Sequence, residues 1–304
     1  MVIFNYVVMC LIFGTTFLAI KIGVESGIPP FMAAGLRFTV AGILILIWMR
    51  MNRKISLAFL WKKELLFIGS GSTFLAFATL YWAEQHIDSG IAAILSATGP
   101  MMILFIQSLL LGKLPKHIEL IGCLIGFAGV CLLLLPKLVI GWDLLWIGSC
   151  LLVLLGELGY AAGSVLTRKA VLTMHELSPI AINGAQMLYG GIILLLLSAC
   201  MEQAPISLLF SWQSTGSLLY LILIGSMLGH SLYAWLLKAT NAFFPSTWLY
   251  ISPIIAMGLG ALFNREQISV SSLVGSILVI SGIVLPNLHK LKKRKLHKTA
   301  SSSA

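Results

Sequence analysis

The 304-residue chain is 59% hydrophobic and only 10% charged, with a formal net charge of +10. A water-soluble domain carries about 25% charged residues, so this composition excludes a soluble globular protein, and the solvent for most of the chain is lipid. Nor does the positive balance mark a nucleic-acid-binding domain, because the basic residues lie between apolar runs and in the terminal HKLKKRKLHK.

A bilayer core of about 30 Å takes a helix of about 20 apolar residues. Ten runs of that kind follow one another here, and their bounds define the predicted spans. The first, 2–22, opens MVIFNYVVMCLIFG with no basic region ahead of it, so it reads as a retained helix rather than a signal peptide. The second, 30–48, holds Arg37 about seven residues from its outer end, or roughly 10 Å deep. The third, 65–83, ends with Tyr81 and Trp82. The fourth, 90–111, carries Thr98-Gly99-Pro100 in the middle of an apolar run and Gln107 beyond it. Proline removes a backbone donor and clashes with the preceding turn, so Pro100 predicts a kink near the midplane. The fifth span is 118–135. The sixth, 146–167, places Glu157 near its centre, and the seventh, 179–199, contains Asn183 and Gln186. The eighth, 216–237, contains His230. Trp248, Tyr250 and a second proline, Pro253, belong to the ninth, 244–263, and the tenth is 270–286.

Lysine and arginine collect on cytoplasmic loops. Alternate loops and the tail hold 16 of the 20: Arg50, Arg53, Lys54, Lys62, Lys63, Lys113, Lys116, Arg168, Lys169, Lys238 and six from Lys290 onward. Lys21, Lys137 and Arg265 fall on the other face. With ten spans this bias puts both termini in the cytoplasm. Trp48, Trp61, Trp82, Trp142, Trp146, Trp212 and Trp235 sit near span ends, where amphipathic rings anchor at the interface. The basic tail, 289–304, fits an orientation signal that also touches anionic lipid headgroups.

The two halves echo each other. A shift of 149 pairs Gly14 with Gly163, Pro30 with Pro179, Gly35 with Gly184 and Gly42 with Gly191. A shift of 153 pairs Trp82 with Trp235, Pro100 with Pro253, Gly122 with Gly275 and Gly129 with Gly282. Each half holds five spans, and an odd number makes the second half enter the membrane from the opposite side. The predicted fold is therefore an all-α integral membrane protein of ten transmembrane helices. It is built as two inverted five-helix repeats, residues 1–143 and 144–288. Inverted repeats point to a secondary transporter whose substrate site lies at the midplane between them.

These features carry a family resemblance over about residues 4–286. FGTTFLAIKIG, PPFMAAGLRF, SGIAAILSATGPMMILFIQSLLLGKLP and GCLIGFAGVCLLL in the first half, with LYISPIIAMGLGALFNREQ and VGSILVISGIVL in the second, resemble the EamA-type drug/metabolite transporters. The resemblance implies a ten-helix bundle that moves small organic solutes, often amino acids or related metabolites and toxic analogues, and often outward. Two departures stand out. Lys113 replaces the usual glutamate of LGE, whereas the second half keeps Glu266, and Phe13 replaces a common tryptophan.

Ionisable groups inside a membrane are functional candidates by default. Glu157 binds a cationic group of the substrate or carries a coupling proton, unless it serves only a hydrogen bond between helices. Arg37 holds a substrate carboxylate, or pairs internally with Glu84 or Glu25, or snorkels. His230 is a proton carrier or a packed neutral ring. Tyr81, Trp248 and Tyr250 line a cavity and stack on an apolar solute, or pack. Gln107, Asn183 and Gln186 face the pathway or bond between helices. The spacings Gly122/Gly126, Gly159/Gly163 and Gly225/Gly229 favour close helix packing. Five cysteines without a CxxC pair support neither a disulfide framework nor a zinc site. The motifs HExxH, GxSxG and GxxxxGK[ST] are missing, so no enzyme, metal, cofactor or ATP hydrolysis is expected. The leading expectation is a secondary active exporter of the cell membrane, working by alternating access. It would be a monomer, or alternatively a dimer, with a small-molecule substrate, membrane lipid and a coupling proton as partners. A passive facilitator is the first alternative. A polytopic enzyme acting on lipid-linked substrates, with EQHID (Glu84 to Asp88) as its site, is the second.

Overall fold

The computed structural model describes residues 1–52, 55–87, 89–112, 114–135, 143–202, 211–264 and 269–301. The described residues form helices and connecting turns, with no strand among them. In lipid this is expected, because a helix satisfies its own backbone hydrogen bonds. Eight helices are long and apolar enough to cross a membrane. They are α1 (Val2–Glu25), α2 (Pro30–Met51), α3 (Lys63–Ala83), α4 (segments Ser89–Ser96 and Gly99–Leu111), α5 (His117–Leu134), α6 (Leu144–Thr173), α7 (Pro179–Met201) and α8 (Trp212–Ala239). Two more carry shorter apolar stretches: α9 (segments Phe243–Ser246 and Trp248–Asn264) and α10 (Val270–Ser301).

Local chemistry sets the ends. Pro30 and Pro179 open α2 and α7, where a missing N–H costs nothing. The hydroxyl of Ser178 and the carboxylate of Asp143 accept from first-turn amides of α7 and α6. Gly112 closes α4 at φ 60°, a left-handed position that favours glycine. Helix α6 runs to Thr173, six residues past its predicted end. Within this extension the Arg168 guanidinium donates to the carbonyls of Leu237 and Thr240, both at 2.6 Å, and so caps the C-terminus of α8.

Four helices are irregular in their interiors. In α3, residues Ser70–Leu75 form a π-helical stretch, and Leu221–His230 do the same in α8. Helix α4 is interrupted at Ala97–Thr98, and α9 at Thr247. The other close pairs are tight. Along α2 and α7, a Cβ on Gly42 would lie 2.8 Å from the Gly184 carbonyl, and one on Gly191 would lie 2.5 Å from the Thr39 amide. Between α5 and α10, a Cβ on Gly129 would lie 2.7 Å from the Gly275 carbonyl, and one on Gly275 would lie 2.6 Å from the Gly129 carbonyl. Backbones meet directly at these points, as small-residue packing in membranes allows.

Leu18, Ile47, Leu109, Leu151, Leu196 and Ile277 point outward and are exposed, as a lipid-facing surface requires. Trp48, Trp61 and Trp212 are exposed near helix ends. Expectations for Arg53, Lys54, Asp88, Lys113, Lys137, Trp142, Arg265 and Glu266 lie outside the described residues.

Candidate functional site

A central cavity is walled by α1, α2, α3, α4, α6, α8 and α9 and holds about 610 Å³ of empty space, counting the part open to solvent. Its wall is rich in aromatic rings, from Phe13, Phe17, Phe77, Tyr160, Tyr233 and Trp248, with ionisable groups at a few points.

Glu157, from the middle of α6, is one such point. Its Oε2 is buried without a hydrogen bond of good geometry, as is the hydroxyl of Ser96 on the same cavity, and the two lie close enough to interact. Arg37 of α2 is another, only 1% exposed. Its Nε donates to Ser226 Oγ at 2.9 Å, in the π-helical stretch of α8, and its Nη1 donates to Tyr81 Oη at 3.3 Å. Its guanidinium carbon lies 4.7 Å from the Phe38 ring centre and 5.3 Å from that of Phe77, positions in which a ring face attracts a cation. Neither Glu25 nor Glu84 pairs with it. Glu25 takes Lys21 instead at 3.8 Å, on the exposed surface. A guanidinium offers five donors, so Arg37 reaches the cavity with hydrogen-bonding capacity to spare.

His230 ends the π-helical stretch of α8 and also lines the cavity. Phe13, Phe38 and Phe77 surround it, with ring centres 4.9, 5.7 and 5.9 Å away. Trp248 opens the long segment of α9. It packs on Phe13 at 4.6 Å and donates its indole N–H to Tyr160 Oη at 3.1 Å. Tyr81 is buried behind Arg37 and touches the cavity only through it.

The remaining sequence candidates sit elsewhere. Tyr250 is buried against α5 and donates to the Cys123 carbonyl at 3.3 Å. Asn183 and Gln186 bond each other at 3.1 Å. Gln186 also accepts from Thr167 of α6, and Asn183 donates to Ser231 of α8 at 3.4 Å, so both stitch helices together. Gln107 is half-buried on α4, away from the cavity lining. Pro100 is buried in the first turn of the second α4 segment, and Pro253 is buried inside the long segment of α9.

Several wall residues escaped the sequence reading: Thr16, Phe17, Phe77, Ser96, Tyr160 and Tyr233. The signal for some was present. Residues three apart share a helix face, so Tyr160 follows from Glu157, Tyr233 from His230 and Thr16 from Phe13. On the loop after α3, just outside the membrane-length stretch, Glu84 is half-buried. Burial pushes its carboxyl up to about 7, against a smaller opposing pull from Lys21.

Comparison with known proteins agrees with this architecture. The chain is 29% identical to the uncharacterized inner membrane transporter YedA of Escherichia coli K12, over 92% of this chain and 88% of that one. It is 25% identical to the uncharacterized transporter YoaV of Bacillus subtilis, over 97% and 99%. A protein of known crystal structure shares the fold at a TM-score of 0.74 and 19% identity, over 94% of this chain and 96% of that one. The profile of the EamA-like transporter family matches residues 1–135 and 147–288. The chain is a multi-pass membrane protein and belongs to the EamA-like transporter family.

Proposed function

We propose that the chain is a secondary active transporter that carries a small organic solute through the central cavity by alternating access, in the outward direction, without altering it chemically. The observation that carries this reading is the cavity itself, in which Glu157 presents a carboxylate oxygen without a hydrogen bond of good geometry and Arg37 a guanidinium that no carboxylate among the described residues pairs with. Buried ionisable groups are costly in a membrane, and where they occur they typically mark a solute or ion pathway.

Ten spans in two inverted repeats are part of the same reading, and reciprocal contacts support them. Under the shift of 149, the contact of Gly42 with Leu188 maps onto that of Gly191 with Thr39, and both occur. Gly35 with Leu195 maps onto Gly184 with Leu46, and both occur. Under the shift of 153, Gly122 with Gly282 maps onto Gly275 with Gly129, again with both present. Reciprocity of this sort marks a two-fold relation. Two related pairs, Phe77 with His230 and Leu80 with Tyr233, face the cavity together. An axis through the cavity is consistent with these pairs, and in this reading the inward-open and outward-open forms are exchanged by the two repeats. Both termini are cytoplasmic in this arrangement; the interruptions near Pro100 and at Thr247, six residues before Pro253, fall in the fourth helix of each repeat.

A thermal-shift screen of amino acids, polyamines, nucleosides and their analogues would find a stabilising solute, because bound ligand stabilises the folded state. Flux of that solute is then measured in proteoliposomes under an imposed pH gradient. Wild type accumulates it uphill, and Glu157→Gln loses the response to the gradient. If Glu157→Gln keeps full pH-driven accumulation, Glu157 has no part in coupling. If wild type never moves solute uphill under any ion gradient, the chain is a passive facilitator.

A further inference from the structure

The interruption of α4 coincides with the cavity carboxylate. Three observations meet there. The helix stops at Ser96 and resumes at Gly99, and the Thr98 hydroxyl closes the gap by donating to the Leu95 carbonyl at 2.6 Å. Pro100, with no N–H, leaves the Ser96 carbonyl without its helical donor. At Gly99 itself, a Cβ would lie 2.5 Å from Glu157 Oε2, 3.6 Å from Glu157 Cδ and 2.8 Å from Leu249 Cδ1. The carboxylate of α6 therefore fills the space that any larger residue at position 99 would claim. Gly99 has an ordinary helical conformation, not a left-handed one. The glycine is thus required by what lies against it, not by its backbone angles.

We infer that Gly99 is a positioning residue for Glu157: its missing side chain seats the carboxylate against the first turn of the second α4 segment. The first turn of a helix has amides without helical partners and a partial positive charge, both favourable to an anion. The inference rests on Glu157 as the cavity's carboxylate but not on transport, so it is tested without a substrate. A displaced carboxylate loses the first turn, and the state of Glu157 is then uncoupled from the position of α4.

The test uses a hydrophobic carbodiimide on the purified full-length protein in detergent. The reagent adds to a protonated carboxylic acid: the acid proton goes to a carbodiimide nitrogen and the carboxylate oxygen bonds to the central carbon. The O-acylisourea rearranges to a stable N-acylurea, read at residue 157 by peptide mass spectrometry. In Gly99→Ala, labelling at pH 8 is expected to be about two- to fivefold faster than in wild type, the size of a helix-terminus effect on a charge. Gly99→Ala combined with Glu157→Asp, one methylene shorter, returns labelling towards that of Glu157→Asp alone. Thermal stability provides the second arm. Gly99→Ala lowers the melting temperature in wild type but by much less in a Glu157→Ala background, where the clashing oxygen is gone. Unchanged labelling in Gly99→Ala overturns the inference, and so does a stability loss that simply adds to that of Glu157→Ala. A Gly99→Ala protein too unstable to label still leaves the double variant to decide. If these arms succeed while Glu157→Gln keeps full pH-driven flux, the positioning stands and the coupling role falls.

Discussion

At the scale of single residues, the molecule puts its few polar groups where they meet opposite demands. Arg37 is almost completely buried, yet no carboxylate among the described residues pairs with it, and ring faces with two hydroxyl partners hold it in place. Lysine cannot reproduce that arrangement, because an ammonium lacks the planar fork and stacks poorly. Arg37→Lys is therefore expected to lower solute flux at least tenfold while the protein still purifies as a folded species, checked by flux beside a melting curve. Glu84 gives a pH-dependent expectation on the loop after α3. Its folded carboxyl titrates near 7 rather than its ordinary 4.5, so the folded state holds the proton more tightly than the unfolded chain. The stabilisation this provides is present at low pH and is lost as pH rises from about 4.5 through 7. Replacing Glu84 with glutamine should make the melting temperature less dependent on pH between 5 and 8. An unchanged pH dependence would show that Glu84 does not titrate there.

At the scale of elements, the helices divide into tight pairs and irregular walls. The α2–α7 and α5–α10 contacts bring backbone against backbone, so they tolerate no added atom. Gly129→Ala would meet the Gly275 carbonyl and the Val279 amide, neither of which can turn aside as a side chain would. A loss of about 1–3 kcal/mol is expected, the usual cost of overpacking. Gly148→Ala, with nothing within 4 Å, should be close to neutral. Denaturation in mixed micelles compares the two. The same pair-wise order shows at the start of α2, where the Glu202 carboxylate accepts from the amides of Phe31 and Met32 at 2.7 and 2.9 Å. Glu202→Ala removes that cap and should cost about 0.5–2 kcal/mol, with Glu202→Gln losing less, measured the same way. These elements also show what was legible beforehand. Apolar runs gave the eight membrane-length helices, all but α6 to within about four residues, because lipid permits little besides helix over that length. The spacing Gly122/Gly126 marked α5 for close packing, but its partner was not legible: Gly122 meets Gly282 and Gly129 meets Gly275, not the residues paired with them by the repeat. The π-helical stretches of α3 and α8 were not legible, because Gly69-Ser70-Gly71-Ser72 and Gly225-Ser226 read equally well as close-packing helix. For the cavity, charge singled out Glu157 and Arg37. Gln107, Asn183 and Gln186 are as polar in sequence as cavity residues would be, and only packing separates an interhelical bond from a pathway wall.

At the scale of the whole molecule, the irregular helices and the cavity coincide. Helices α3, α4, α8 and α9 all contribute to the wall, whereas α5, α7 and α10 contribute nothing to it. The close-packed α5–α10 pair stands apart from the wall and the irregular helices form part of it, as expected where broken backbone at membrane depth is tolerated beside a cavity; the alternating access proposed above would use these irregular helices. Which side is which follows from charge. Lys62, Lys116, Arg168 and Lys238 share one face, and Arg168 ties the ends of α6 and α8 together there. Glu202 and the start of α2 lie at the opposite face, with Cys200 two residues before Glu202 and exposed. Basic loops tend to stay in the cytoplasm, which predicts that Cys200 faces outward and makes it a ready reporter. Cys10 and Cys123 are buried, and Cys131 and Cys150 are partly shielded. A membrane-impermeant maleimide added to intact cells should label wild type and should fail to label Cys200→Ser. A cysteine placed at Lys238 in the Cys200→Ser background should react only after permeabilisation. Labelling of Cys200 that needed permeabilisation would invert the orientation. The outward direction proposed for the solute would then need a direct flux measurement from each side.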